Sequence, residues 1–263
     1  MKKLLVIGKP IDHSLSPELH NHWIKKNKIT AHYDKKSVEL NDLPKIIMSV
    51  RENKIFGLNV TTPYKKEIIK YLDFLSPEAE QTESVNTVYK KGEKIIGHNT
   101  DIAGFELSLR KINYDIQGKT ALILGSGGVV PSIVFALNNL QIKEINLKNR
   151  TKKKAELIRN KFKNVKVLEW NDECKFDIII NATSLGLNKN ENIDINFENL
   201  ENEKFFYDVI YNPPETEFLK NAKKNYHRIE NGKMMFIYQA HQSFTLWHEI
   251  MPDIDEETLN IVK

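Results

Sequence analysis

The sequence predicts an α/β protein made of two successive strand–helix blocks. Short apolar runs alternate with longer amphipathic stretches, which is the pattern of a mostly parallel sheet covered by helices. A glycine cluster, Gly125-Ser126-Gly127-Gly128, falls between an apolar run and a helical stretch. No stretch approaches the ~18 apolar residues that a membrane-crossing helix needs.

In the first block, Leu4 to Gly8 reads as a buried strand. Ser16 caps a helix over 17–27, with Pro17 at its first position. A strand over 32–38 and a helix over 43–52 follow. Gly57 to Val60 is a third strand, stopped by Thr61-Thr62-Pro63, and 65–72 reads as a helix. Residues 85–89 and 94–97 form a hairpin around Lys91-Gly92. A connecting helix over 104–112 leads to the second block. There, strands over 120–124, 144–147, 165–168, 177–181 and 205–209 alternate with helices over 129–140 and 152–163. Residues 188–202, rich in Asn and Glu, read as a surface loop. An apolar helix over 233–247, ended by Pro252, closes the chain.

Composition narrows the function. With 39 basic and 35 acidic side chains the net charge is +4, too even to indicate nucleic acid. One cysteine, Cys174, allows neither an internal disulfide nor a zinc quartet. No metal site is read. The N-terminus shows no apolar signal segment, since Gly8, Lys9 and Asp12 interrupt it. A cytoplasmic protein with no membrane partner is the expectation.

The glycine cluster sits where a dinucleotide fingerprint belongs. Glycines there permit a tight turn and close approach of pyrophosphate to the backbone, and the following helix offers N–H groups and a positive dipole end. The third fingerprint glycine is replaced by Val130. A Walker A loop is excluded, because no Gly-Lys-Ser/Thr follows. The next strand ends in Leu147-Lys148-Asn149-Arg150-Thr151 followed by Lys152 to Lys154, with no acid to hold a ribose 2′-hydroxyl. Arg150, Thr151 and a lysine suit a 2′-phosphate instead, although a solvated basic helix start also explains Lys152 to Lys154.

Polar residues cluster where the strands of the first block end: Ser14 and Ser16, Asn59 to Lys65, Ser84 to Thr87, and His98 to Asp101. Loops at the carboxyl ends of strands line the ligand crevice of such sheets. Hydroxyls suit a carboxylate, amides suit ring hydroxyls, and Lys65 with Asp101 offers a proton-transfer pair. Each alone has a plain structural reading.

In this order and spacing, the chain resembles the shikimate dehydrogenases along nearly its whole length. The matching segments are His13-Ser14-Leu15-Ser16-Pro17, Asn59 to Lys65, Val85-Asn86-Thr87 and Asn99 to Gly104. They continue through Gly125 to Gly128, Asn149-Arg150-Thr151, Asn181 to Ser184, Asp208 to Pro213 and Gln239 to Trp247. The resemblance implies an N-terminal α/β substrate domain, a Rossmann-like NADP(H)-binding domain and C-terminal helices that return to the first domain. The implied boundaries are 1–102 with 238–263, and 103–237.

It also implies roles. Ser14 and Ser16 hold the substrate carboxylate. Thr61, Asn86, Tyr211 and Gln239 contact the rest of shikimate or 3-dehydroshikimate. Lys65 and Asp101 form the catalytic pair and also touch substrate. Gly125, Ser126, Gly127, Gly128 and Val129 hold pyrophosphate, Asn149, Arg150 and Thr151 hold the 2′-phosphate, and Val209 and Gly232 lie near the nicotinamide. A homodimer is the assembly held open. The chain departs from the family at Ser126, where alanine is usual, at Val129-Val130-Pro131, and at Met234-Met235-Phe236-Ile237, which is bulkier.

A ring ketone that accepts hydride builds negative charge on oxygen. Lys65 as an ammonium supplies both electrostatic stabilisation and a proton. A neighbouring carboxylate favours the charged lysine, so Lys65 reads better as the acid in reduction than as the base in oxidation. The rivals are a broader quinate/shikimate enzyme accepting NAD and a non-catalytic NADP-binding sensor. The sensor reading expects loss of Lys65 or Asp101, and both are present.

Overall fold

The structure, a computed structural model, describes residues 1–188, 191–197, 200 and 202–262. The chain divides into two compact units, Met1–Phe105 with Ile237–Lys263, and Glu106–Phe236.

The first unit opens with β1 (Lys2–Gly8), α1 (Ser16–Lys26), β2 (Ala31–Ser37), a 3-10 turn (Leu40–Asp42), α2 (Leu43–Arg51) and β3 (Gly57–Val60). A second 3-10 turn (Glu67–Tyr71), β4 (Phe74–Leu75), α3 (Pro77–Thr82), β5 (Thr87–Lys91) and β6 (Lys94–His98) follow. The strands form one sheet in the order β2-β1-β3-β5-β6-β4. β1 runs parallel to β2 and β3, and β5 runs antiparallel to β3 and β6. Ile7, Leu43, Ile47, Leu58 and Val88 meet in a core between the sheet and α2.

Next come α4 (Asp101–Lys111), β7 (Thr120–Leu124), α5 (Val130–Asn139), β8 (Glu144–Lys148), α6 (Lys152–Arg159), β9 (Val165–Leu168) and β10 (Ile178–Asn181). β11 (Phe205–Asp208), α7 (Glu217–Lys224), β12 (Arg228–Glu230), α8 (Lys233–His248) and α9 (Glu256–Ile261) complete the chain. The second unit holds an all-parallel sheet in the order β12-β11-β10-β7-β8-β9. β10 and β11 are buried at every position, which explains why they read as unbroken apolar runs rather than alternating ones. The strand order reverses between β7 and its neighbours β8 and β10, the place where such sheets bind dinucleotides.

The predicted α/β class is borne out, with corrections in detail. The helix expected at 65–72 is only the 3-10 turn Glu67–Tyr71, so Lys65 lies in the turn before it. Leu15, not Ser16, occupies the N-cap of α1; Ser16 is the first helical residue and makes no capping bond. Its hydroxyl is engaged elsewhere. α6 ends at Arg159, short of the expected 163, and α8 ends at His248, before Pro252. The expected surface loop 188–202 includes 189, 190, 198, 199 and 201, which lie outside the described residues. Of the others, Ile193 is buried, and Ile195, Phe197 and Leu200 pack against Phe206 and Phe218 of the second core. These apolar side chains line that core, while Asn192, Asp194 and Asn196 between them are exposed.

Candidate active site

Lys65 and Asp101 meet as an ion pair. Lys65 Nζ lies 2.5 Å from Asp101 Oδ2, and the side chains are only 11% and 8% exposed. Backbone bonds fix the lysine: Tyr64 N–H donates to the Thr61 carbonyl and Val85 N–H to that of Lys65, both at 2.9 Å. Asp101 is the first residue of α4, where the helix dipole favours an anion. Its N–H donates to Asn99 Oδ1 at 3.2 Å, and Asn99 Nδ2 donates to Thr82 Oγ1 at 2.9 Å.

Asn86 ties the pair to a wider network. Its Nδ2 donates to Asp101 Oδ1 and Thr100 Oγ1, each at 2.9 Å, and reaches Gln239 Oε1 at 3.5 Å. Its Oδ1 accepts from the Thr100 N–H at 2.8 Å. The two oxygens of Asp101 are thereby divided, one for Asn86 and one for Lys65. Behind Asn86, the hydroxyls of Thr87, Thr100 and Ser243 lie within 3.3 Å of one another. Asn59 Nδ2 donates to Ser243 Oγ, Thr87 Oγ1 and the Asn86 carbonyl.

A second chain of bonds reaches the serines. Ser14 Oγ and Ser16 Oγ are 3.2 Å apart and buried, and Ser16 N–H donates to Ser14 Oγ at 3.3 Å. Tyr33 bonds Ser16 through its phenol and donates to Asn59 Oδ1 at 2.6 Å. Burial pushes the Tyr33 phenol well above its ordinary value of 10, so it stays a neutral donor. His20 stacks on Tyr33 with ring centroids 4.2 Å apart. Burial, with a smaller push from His248, lowers the His20 imidazole to about 3, so the ring is neutral packing. Thr61, half-buried, begins the turn after β3, and its N–H donates to the Ile7 carbonyl.

Seven predicted residues therefore share the first unit: Ser14, Ser16, Thr61, Lys65, Asn86, Asp101 and Gln239. Tyr211 belongs to the second unit, where its ring stacks on Phe236 at 4.3 Å. The sequence placed Asn59, Thr87 and Thr100 in its polar clusters without individual roles, and gave Ser243 and Tyr33 none. A signal existed for Ser243: it stands one helical turn after Gln239, on the same face of α8, and its hydroxyl donates to the Gln239 carbonyl.

The second unit builds a different cradle. Gly125 has φ +107°, and a Cβ there would lie 2.7 Å from the Ala182 carbonyl oxygen, so only glycine fits. A Cβ on Gly127 would meet nothing nearer than 3.9 Å, which leaves that side of the loop open to a ligand. α5 then begins after Val129 without a side-chain cap. Asn149, Arg150 and Thr151 follow β8, with Asn149 Nδ2 bonded to the Thr151 carbonyl at 2.8 Å, and Arg150 is exposed. Lys152 is committed to an ion pair with Glu169. Gly232 abuts Val209: a Cβ there would fall 2.1 Å from the Val209 carbonyl oxygen. An open glycine turn, an uncapped helix start and donors at the next strand fit a dinucleotide with a 2′-phosphate.

Beneath this cradle, Asn181 Nδ2 donates to Asp208 Oδ1 at 3.0 Å, and Thr216 Oγ1 donates to Asp208 Oδ2 at 2.7 Å. Asp208 is fully buried, and burial raises its carboxyl to about 6 despite those bonds.

A dinucleotide cradle on a parallel sheet, with a buried lysine–carboxylate pair in a hydroxyl- and amide-rich site on a second sheet, defines an NADP-dependent oxidoreductase acting on a secondary alcohol. Comparison with known proteins narrows the class. Residues 6–88 match the family model for the shikimate dehydrogenase substrate binding domain, and residues 106–228 match that for shikimate / quinate 5-dehydrogenase. The shikimate dehydrogenase (NADP(+)) of Pelagibacter ubique is 54% identical over 261 residues, covering 99% of this chain and 98% of its own. The crystal structure of the Thermus thermophilus enzyme with NADP(H) and shikimate matches with TM-score 0.90 and 29% identity, covering 100% of this chain and 98% of that one. The Listeria monocytogenes enzyme, crystallised with shikimate and NAD, matches with TM-score 0.92 and 28% identity, covering 100% and 96%. The chain belongs to the shikimate dehydrogenase family.

Proposed function

We infer that this chain catalyses the reversible NADPH-dependent reduction of 3-dehydroshikimate to shikimate. The observation that carries the reading is the buried Lys65–Asp101 pair, bonded through Asn86 to a hydroxyl and amide network. NADPH, when bound, supplies the hydride. Gly125 to Val129 would hold its pyrophosphate, Asn149, Arg150 and Thr151 its 2′-phosphate, and Val209 and Gly232 would lie near its nicotinamide.

Lys65 donates the proton that turns the nascent alkoxide into the alcohol, and in oxidation it takes that proton back. Asp101 pairs with Lys65 Nζ through Oδ2 and aims it, while Asn86 holds the second Asp101 oxygen. Ser14 and Ser16 donate hydroxyls to the substrate carboxylate, with Tyr33 behind Ser16. Thr61 and Gln239 serve the ring hydroxyls. The reading places this chemistry in the cytoplasm and in a homodimer, to be checked by fractionation and by sedimentation.

The test is reduction of NADP by purified protein with shikimate, with quinate and NAD as parallel arms. Lys65→Ala should lower kcat by about 10²- to 10⁴-fold, the usual contribution of a positioned general acid. Ser14→Ala should raise KM and spare kcat, since its carboxylate contact is the same in ground and transition states. A Lys65→Ala protein turning over near the wild-type rate removes the assignment. Equal rates with quinate or NAD would move the reading to the broader-specificity relative.

A further inference from the structure

We propose that Trp170 is an aromatic contact for the adenosine 2′-phosphate half of NADP(H). The proposal rests on the reading that the second unit binds this cofactor. β8 and β9 are neighbouring parallel strands in which Lys148 pairs with Leu168, so both end at the same edge of the sheet. Beyond β8 come Asn149, Arg150 and Thr151. Beyond β9 comes a tight turn, Glu169 to Asp172, closed by Asp172 N–H to the Glu169 carbonyl at 3.2 Å and by Glu169 N–H to Asp172 Oδ2 at 2.7 Å.

Two lysines lash this turn to the end of β8. Lys148 Nζ donates to the Trp170 carbonyl at 3.1 Å and also to that of Asp172. Lys152, at the start of α6, pairs with Glu169. The turn is thus held against the strand end that carries the 2′-phosphate donors. At its tip Trp170 is 40% exposed, whereas Trp23 and Trp247 are 0% and 5% exposed. Single exposed apolar side chains are common, and Phe74 and Tyr226 are more exposed still; what sets Trp170 apart is its place, on a turn tied by Lys148 and Lys152 to the strand end that carries Asn149, Arg150 and Thr151.

The chemistry is complementary. An indole presents a flat π surface to a purine. The Lys152–Glu169 pair sets a carboxylate beside the basic run, so charge alone is a poor hold on the phosphate there. An aromatic surface strengthens the adenosine end without adding charge. Arg150 and Trp170, from adjacent strand ends, would then both serve the same nucleoside.

The experiment titrates the full-length protein with 2′,5′-ADP, which carries the adenosine 2′-phosphate and no nicotinamide, and follows tryptophan emission and calorimetric heat. The exposed Trp170 should report binding by a change in emission that Trp170→Phe abolishes, while Trp23 and Trp247 give a constant background. Trp170→Ala should weaken 2′,5′-ADP by about tenfold, the scale of one lost base–aromatic stack, and leave shikimate affinity unchanged. Wild-type affinity for 2′,5′-ADP in Trp170→Ala, with unaltered emission on binding to wild type, overturns this proposal and leaves the cofactor reading intact. A wild-type protein that binds neither 2′,5′-ADP nor NADPH overturns both.

Discussion

Asp208 shows how a single buried carboxylate makes stability depend on pH. Its oxygens accept from Asn181, the Ile210 N–H and Thr216, yet burial outweighs those bonds and raises the carboxyl from 3.8 to about 6. The folded state therefore holds the proton more tightly than the unfolded state. Its contribution to stability is fully present below 3.8 and is lost as pH rises through about 6. Asp208→Asn carries no such dependence, and the Thr216 hydroxyl can turn to accept from the new amide. Relative to wild type, the variant should gain up to about 3 kcal/mol between those two pH values, at 1.36 kcal/mol per pKa unit. Urea unfolding of both proteins at each end of the window measures this. A difference that stays flat across the window would mean that Asp208 ionises freely in the folded protein.

Among the elements, the turn between β7 and α5 leaves little freedom at Gly125. Gly125→Ala would add a Cβ 2.7 Å from the Ala182 carbonyl oxygen at φ +107°. A left-handed backbone costs an L-residue about 1–2 kcal/mol before any clash is counted. The loop must shift, and NADPH affinity should fall while the far-UV spectrum and shikimate affinity persist; unchanged NADPH titration would mean that the turn relaxes without cost. This loop was legible in the sequence because its constraint is local, a glycine cluster between a strand and a helix. The Lys65 turn was not: its apolar spacing, Ile68, Ile69, Leu72, imitates a helix, but a local turn, Tyr64 N–H to the Thr61 carbonyl, and a long-range bond from Val85 N–H to the Lys65 carbonyl hold the chain before the 3-10 turn. β4, α3, α7, β12 and α9 went unread; of these, β4 and β12 are only two and three residues long, too short to show a period. The Thr87–Thr100–Ser243 cluster joins residues distant along the chain, and hydroxyls carry no spacing signal across such separations.

At the scale of the whole molecule, each of the two units has a hydrophobic core of its own among the described residues. One lies around Ile7, Leu43 and Leu58, and the other around Leu122, Ile179 and Phe206. It passes from one unit to the other within α4 and again within α8, so the first unit is complete only when 237–263 has joined it. That return supplies Ser243 to the Asn59 network, and Asp253 accepts from the Trp23 indole N–H at 3.1 Å. The resemblance to a known family made this return legible; nothing in local periodicity encodes it. Two cores and two ligand sites predict two responses to heat. A ligand that binds only the folded state stabilises by roughly 2.7 kcal/mol at a hundredfold excess over its Kd. NADPH should therefore raise the melting of the second unit, and shikimate that of the first, in calorimetry of the intact protein. Hydrogen exchange assigns each response, with NADPH slowing amides in β7, β8 and β10 and shikimate those in β1, β3 and β5. One transition moved equally by either ligand, with protection spread over both sheets, would instead show that the two cores unfold as a single cooperative unit.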